Sequence, residues 1–335
     1  MKSFNRAIFL WPFLFFFLTA LQPSSSLSAE EKGKPTSAAV VESSVPLKLS
    51  GYTQFQFSEK NTEKDSFFIN RARLSLSGTL VKWFRFKIQA DLAKSPVLRD
   101  ALAEVVLNDQ LNLRLGQFLV PFGPENTTSA GELLTVNRSQ TVDLLAPGRD
   151  NAATGRDQGV ALFGSYSIFE YNLGLLNGSG INRKDDNDRK DFCGRFLLRA
   201  APGLKAGFSL YLGKKLAVGF PTNLVRNKYG LEASLTQGRF LLQAEYLRTT
   251  DDQQKKQGWY ALLAYSVKPE KFQLIGRLDT VNLDLSLPGQ KTVVYTAGAN
   301  WFITPKSKLQ VNYEYHNREV QPDAHALLVQ LQVGF

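Results

Sequence analysis

Residues 47–58 read Leu-Lys-Leu-Ser-Gly-Tyr-Thr-Gln-Phe-Gln-Phe-Ser. Leu47, Leu49, Gly51, Thr53, Phe55 and Phe57 alternate with Lys48, Ser50, Tyr52, Gln54, Gln56 and Ser58. Successive side chains of a strand point to opposite faces, so this period of two predicts a strand with one apolar and one polar face. The pattern recurs downstream. Phe68, Ala72, Leu74 and Leu76 fall on one side of a strand, and Arg71, Arg73, Ser75 and Ser77 on the other. Phe84, Phe86, Ile88, Ala90 and Leu92 alternate with Arg85, Lys87, Gln89 and Asp91. At the end of the chain Leu327, Val329, Leu331, Val333 and Phe335 oppose Gln330, Gln332 and Gly334.

The connections between such stretches alternate in length. Short turns are expected near 79–82, 108–110, 165–168, 201–203, 237–238, 268–270 and 304–306. Longer polar loops are expected near 59–65, 93–97, 119–157, 178–191, 214–227, 249–257, 284–291 and 318–323. Such alternation makes every strand antiparallel to the next and gives the two ends of the sheet different surroundings. Segmentation gives about sixteen strands of roughly ten residues, the length that crosses a bilayer at a tilt. Lipid offers no water to backbone groups, so only a closed sheet can span it with strands. The expected fold is therefore all-β, a transmembrane antiparallel β-barrel over residues 46–335. A secreted sandwich or propeller also alternates. Against it stand the charge along the polar face and aromatics near strand ends of the apolar face: Phe57, Trp83, Tyr246, Trp259, Tyr265, Trp301 and Tyr315. Those aromatics suit an interfacial girdle.

Composition agrees. The 335 residues carry 43% hydrophobic and 12% aromatic side chains, too many for a disordered chain. Cys193 is the single cysteine, which excludes a disulfide scaffold. Beyond the N-terminus no apolar run reaches the ~18 residues of a spanning helix. Lys2, Arg6, the Phe-rich run from Ala7 to Leu21 and the small residues near Ala29 read as a secretory signal peptide, residues 1–28. Residues 29–45 read as a polar, flexible tail.

Four stretches carry a resemblance. Phe68–Gly78 (FINRARLSLSG) resembles the Arg-rich second strand of the phosphate-selective porin O and P family of bacterial outer membranes. Leu113–Glu125 (LRLGQFLVPFGPE) resembles the family's most recognisable run, leading into its third loop. Asn177-Gly178-Ser179-Gly180 with the acidic run after it resembles the fourth-loop motif, and Tyr295–Phe302 with Val329–Phe335 resembles the closing strands. The resemblance covers about residues 47–335. It implies a sixteen-stranded homotrimeric porin of the outer membrane, with loop three folded into the lumen. The residues by themselves leave that loop open. Residues 119–157 far exceed the usual connection of about 4–6 residues, and Leu133, Leu134, Val136, Leu144 and Leu145 give it apolar material to pack. Packed inward, it would narrow a pore; otherwise it would cover the mouth or latch a trimer.

If the apolar face meets lipid, the polar face lines water. Lys48, Arg71, Arg73, Arg85, Lys87, Arg114, Arg195, Arg199, Lys205, Lys228, Arg239, Arg277 and Lys308 would then point inward, against fewer acids. A narrow basic channel concentrates anions and repels cations. The candidate pore-lining and anion-binding set is Arg71, Arg73, Arg85, Lys87, Asp100, Arg114, Arg195 and Arg277, with Thr127, Thr128 and Ser129 as hydroxyl donors on the constriction loop. Guanidinium forks suit phosphate or carboxylate oxygens. Arg71 and Arg73 also fall where the resemblance puts an arginine ladder. Asn70 interrupts that cluster, and the 125–129 stretch lacks a lysine. A preference for small anions is therefore expected, phosphate among them. Expected partners are these anions, outer-membrane lipid and lipopolysaccharide, the last reached from Lys214, Lys215, Arg226, Lys255 and Lys256 in outer loops.

Catalysis finds no support. The two histidines, His316 and His325, belong to no zinc or nucleophile motif, and no Gly-x-Ser-x-Gly elbow occurs. The Asp185–Asp191 run lacks a calcium-loop pattern. No cofactor or metal is expected. The basic residues are spread over alternate strand positions without stacking aromatics, which argues against nucleic acid. The competing reading is a plugged barrel serving as an adhesin or structural surface protein.

Overall fold

The computed structural model describes residues 45–216 and 222–335. The expected signal peptide, and all of the expected tail except Val45, lie outside the described residues. Sixteen strands follow in order: β1 (Leu47–Lys60), β2 (Ser66–Val81), β3 (Phe84–Asp91), β4 (Leu98–Val106), β5 (Asn112–Leu119), β6 (Arg156–Tyr166), β7 (Phe169–Leu176) and β8 (Asp191–Ala201). Then come β9 (Leu204–Leu216), β10 (Asn223–Gln237), β11 (Phe240–Asp251), β12 (Gln254–Lys268), β13 (Phe272–Asn282), β14 (Lys291–Thr304), β15 (Ser307–Arg318) and β16 (Ala324–Gly334). Each pairs antiparallel with the next, and β1 closes the barrel on β16 from Tyr52–Gly334 to Lys60–Ala326. Closure removes the open edges that hydrocarbon could not satisfy.

The two faces are inverted relative to a soluble protein. Leu49, Leu263, Val333 and Trp301 are exposed, whereas Gln54, Gln310, Asn312 and Gln330 are buried. An aqueous surface would not choose that arrangement, and a bilayer would. Aromatics mark the strand ends: Trp83 and Trp301 are exposed, and Phe240 stacks on Tyr265 with ring centroids 4.7 Å apart.

Two connections differ from expectation. The loop expected at 249–257 is a two-residue turn, with β11 running to Asp251 and β12 starting at Gln254. The loop expected at 214–227 is likewise shorter, because β9 reaches Leu216 and β10 starts at Asn223. β11 and β12 extend past their apolar stretch into residues polar on both faces, and in β9 and β10 lysines, an asparagine and an arginine interrupt the apolar residues, so the period-two signal fades in both pairs. The alternation of short and long connections is therefore not strict.

Two bulges also break the parity. In β2, Gln54 pairs with Arg71 and Phe55 with Ile69, so Asn70 is the extra residue. Phe68 thus falls opposite Gln56, and its expected place on the apolar face passes to Ile69. In β4, Gln89 pairs with Asp100 and Ala90 with Leu98, so Arg99 is extra. A bulge sets two residues against one and lets neighbours share a face. Asn70 donates to Gln56 Oε1 at 2.8 Å while Arg71 donates to Gln54 Oε1 at 2.7 Å. Arg99 and Asp100 are both buried.

Between β5 and β6 the chain makes two short helices, α1 (Pro124–Thr127) and α2 (Gln140–Leu145). Ser139 caps α2, its Oγ accepting from Val142 N at 3.2 Å. Of the apolar residues expected to pack, Leu133, Val136 and Leu145 are buried, whereas Leu144 is exposed. Val142 and Leu145 join Phe122, Tyr211, Leu247, Tyr260, Leu262 and Ile275 in one apolar cluster. The polar face of β11–β13 is thus locally apolar where this segment packs. Around the cluster, barrel side chains bind the segment's backbone. Val136 N donates to Asn312 Oδ1 at 2.7 Å, Lys308 Nζ to Leu133 O at 2.6 Å, and Asn300 Nδ2 to Leu134 O at 2.9 Å.

Candidate functional site

The polar-face cations divide by partner. Arg73 donates to Asp91 Oδ2 at 2.9 Å, and both side chains are buried. Arg114 meets Glu104 at 2.8 Å and lies 4.6 Å from the Phe163 ring centroid. Arg195 grips both Glu232 oxygens, at 2.8 and 2.6 Å, and also donates to Thr127 Oγ1 at 3.1 Å. Arg277 donates to Thr135 Oγ1 and to Asn137 O, between Glu125 at 3.7 Å and Glu314 at 3.8 Å. Asp100 is shared by Lys87 and Arg156, each at 2.7 Å. Among the described residues Lys48, Arg71 and Arg85 have no carboxylate within the 4.0 Å of an ion pair; Lys48 and Arg85 are also exposed.

The hydroxyls of the loop are directed at its own backbone. Thr127 Oγ1 donates to Gly123 O at 2.8 Å and Thr128 Oγ1 to Pro124 O at 2.8 Å. Both close α1 locally; Ser129 lines a neighbouring cavity. Two further expected placements need correction. Arg239 lies in the β10–β11 turn, where it donates to Val267 O. Arg226, expected in an outer loop, is buried in β10 with its guanidinium on Asp150 at 2.6 Å, beside Lys228 at 2.7 Å from the same carboxylate. Its position follows from the longer β10, which draws it out of the loop. That ion pair ties the end of the 120–155 segment to the wall.

Three more arginines join the site that alternation could not find. Arg99 follows from the bulge and donates to Thr154 Oγ1 at 3.1 Å. Arg138 lies in the 120–155 segment and donates to Glu125 O and Thr128 O. Arg156 starts β6. Loop and bulge positions carry no period, so their facing is invisible in the sequence. The acidic run after Asn177 behaves as a local loop structure. Burial would push the Asp185 carboxyl up, but its contact with Lys190 and the Asn187 N–H hold it below the usual carboxylate range.

Open space concentrates on the β1–β9 side. A cavity of about 580 Å³ is lined by Lys48, Arg85, Lys87, Arg114 and Arg195, with Asp100 and Glu104. It shares Lys48 and Lys87 with one adjoining cavity of about 410 Å³ and Arg85 and Arg195 with another of about 440 Å³. The 120–155 segment bonds mainly to the opposite wall, and of the cations without acids Lys48 and Arg85 border the space.

A closed antiparallel barrel of sixteen strands with an apolar exterior is the porin architecture. Solved structures agree on the fold. The anion-selective porin from Comamonas acidovorans superposes with a TM-score of 0.68 at 15% identity, over 87% of this chain and 100% of that one. OmpT of Vibrio cholerae, in its trimer form, gives 0.66 at 11% identity over 87% and 99%, and the DcaP channel of Acinetobacter baumannii 0.65 at 10% over 87% and 97%. No curated protein matches the chain by sequence. The profile of the family described as phosphate-selective porin O and P matches residues 49–225 and 219–335, and the chain belongs to that family. It is accordingly an outer-membrane porin. Both the family and the fold are those of channels, which are not enzymes.

Proposed function

We propose that this porin passes small anions by passive diffusion, phosphate or related anions among them, through a water-filled lumen narrowed by the 120–155 segment. The observation that carries this reading is the cation excess around the open space: Lys48, Arg85, Lys87, Arg114 and Arg195 against Asp100 and Glu104 in one cavity. Exposed cations without acid partners attract anions at close range and let them go again, as a conducting path requires. The bonds from Asn312, Lys308 and Asn300 to the 133–136 backbone support placing that segment inside the lumen. The anion selectivity of the Comamonas porin fits the same reading. Arg71, held by Gln54, and Arg73, held by Asp91, would add to the basic lining on β2. A homotrimer fits the trimer form of OmpT. The signal peptide would deliver the chain to the outer membrane, where its loops would meet lipopolysaccharide.

Reversal potentials of the reconstituted protein across a KCl gradient test the proposal. A potential of the sign set by chloride supports it; a potassium-set potential overturns it. The plugged-barrel reading draws on the buried polar wall around Gln54 and Gln310, and it requires no conductance at all.

A further inference from the structure

The cavity wall is not polar throughout. Leu102 sits in β4 between Asp100 and Glu104, on the side of the strand they share, and it borders the 580 Å³ cavity. Its cross-strand partners are Lys87 in β3 and Gly116 in β5. Gly116 adds no side chain, and none could be added: its φ is +109° and a Cβ would lie 2.2 Å from Ala101 O. Leu102, half-buried against the apolar cluster, therefore keeps part of its surface open on that flank. Half-buried Leu119 extends the apolar surface along the same cavity, backed by the buried Phe118 and Pro121. Lys48 and Arg85, exposed and without acid partners, border the same space.

We infer that the cavity binds organic anions whose charged head is joined to an apolar body, in preference to anions with a head alone. The inference rests on the anion reading above and adds a substrate class to it. The head would meet Arg85 or Lys48, and the body would cover Leu102 and Leu119. Apolar area removed from water stabilises such a ligand, whereas a bare oxyanion has no surface to offer the patch. Several moderate contacts of two kinds also keep release fast.

The probes are benzenesulfonate and methanesulfonate, which share a permanently charged head and differ in the body. Each is titrated against the chloride current of the reconstituted full-length porin. Benzenesulfonate should half-block at about tenfold lower concentration, from the ring area it buries. Leu102→Asn should bring that ratio close to one and leave the KCl reversal potential unchanged. Should that variant fail to insert, Leu119→Asn carries the same comparison. Equal block by both probes in the unaltered protein overturns the inference, as does an unchanged ratio in an inserted variant. A potassium-set reversal potential would instead sink the anion reading, and it is read separately from the ratio.

Discussion

Arg73 and Arg85 look equivalent in the sequence and occupy different situations in the barrel. Arg73 is buried on Asp91, whereas Arg85 is exposed and makes no ion pair, its cross-strand neighbour Glu104 being held by Arg114. Replacing Arg73 by Gln removes the 2.9 Å partner of a buried carboxylate and leaves it Arg99 at 3.9 Å and the Ala72 N–H, so the loss falls below the about 3–5 kcal/mol of a fully orphaned buried charge. The expected outcome is a lower unfolding temperature in detergent, read from the heat-dependent shift in gel migration. Arg85→Gln removes an exposed charge that makes no ion pair, Glu104 opposite it keeping Arg114. It should leave that temperature unchanged and lower the chloride-to-potassium permeability ratio, with Lys48→Gln acting in the same direction. The double neutralisation of Arg71 and Arg73 should also lower the ratio; unchanged selectivity would remove both from the permeation path. Alternation identified all four as polar-face residues, but it could not tell which carry free charge. That depends on acids from other strands, such as Asp91 in β3 for Arg73 in β2.

At the scale of elements, the 120–155 segment is held at both ends of its contact with the wall. One anchor is the apolar cluster around Val142 and Leu145, and another is Asp150 between Arg226 and Lys228. Asp150→Ala leaves two buried cations without their shared acid. Hydrogen exchange across 146–155 should then accelerate, while the strands keep their protection. No change there would show that the ion pairs do not hold the segment. The fourth loop depends on charge in a different way. The folded-state pKa of Asp185 is depressed, so its contribution is present above the ordinary carboxylate range and fades as pH falls through the lowered value. Amide exchange at Asn187 should rise on that acid side only. The sequence revealed the loop's length and its apolar residues. Its docking wall was partly legible too, in the unbroken apolar run Trp259–Tyr265, which is apolar on both faces of β12. The bulges at Asn70 and Arg99 were not legible, since an extra residue changes which neighbours share a face without altering composition.

For the whole molecule, the cation excess is a field as well as a set of contacts. Screening lengths fall from about 10 Å at 0.1 M salt to about 3 Å at 1 M. Anion preference should therefore weaken steadily across that range. A ratio independent of salt would assign selectivity to close contact alone.

The sequence by itself determined the barrel. A period of two repeated through the chain, with apolar residues on one side and polar ones on the other, permits a closed sheet in lipid and little else, because each strand states its own two faces locally. The tertiary structure decided which cations remain free, where the 120–155 segment docks and which side of the barrel stays open. Each of those depends on residues far apart in the chain meeting across the barrel, and no local pattern encodes such meetings.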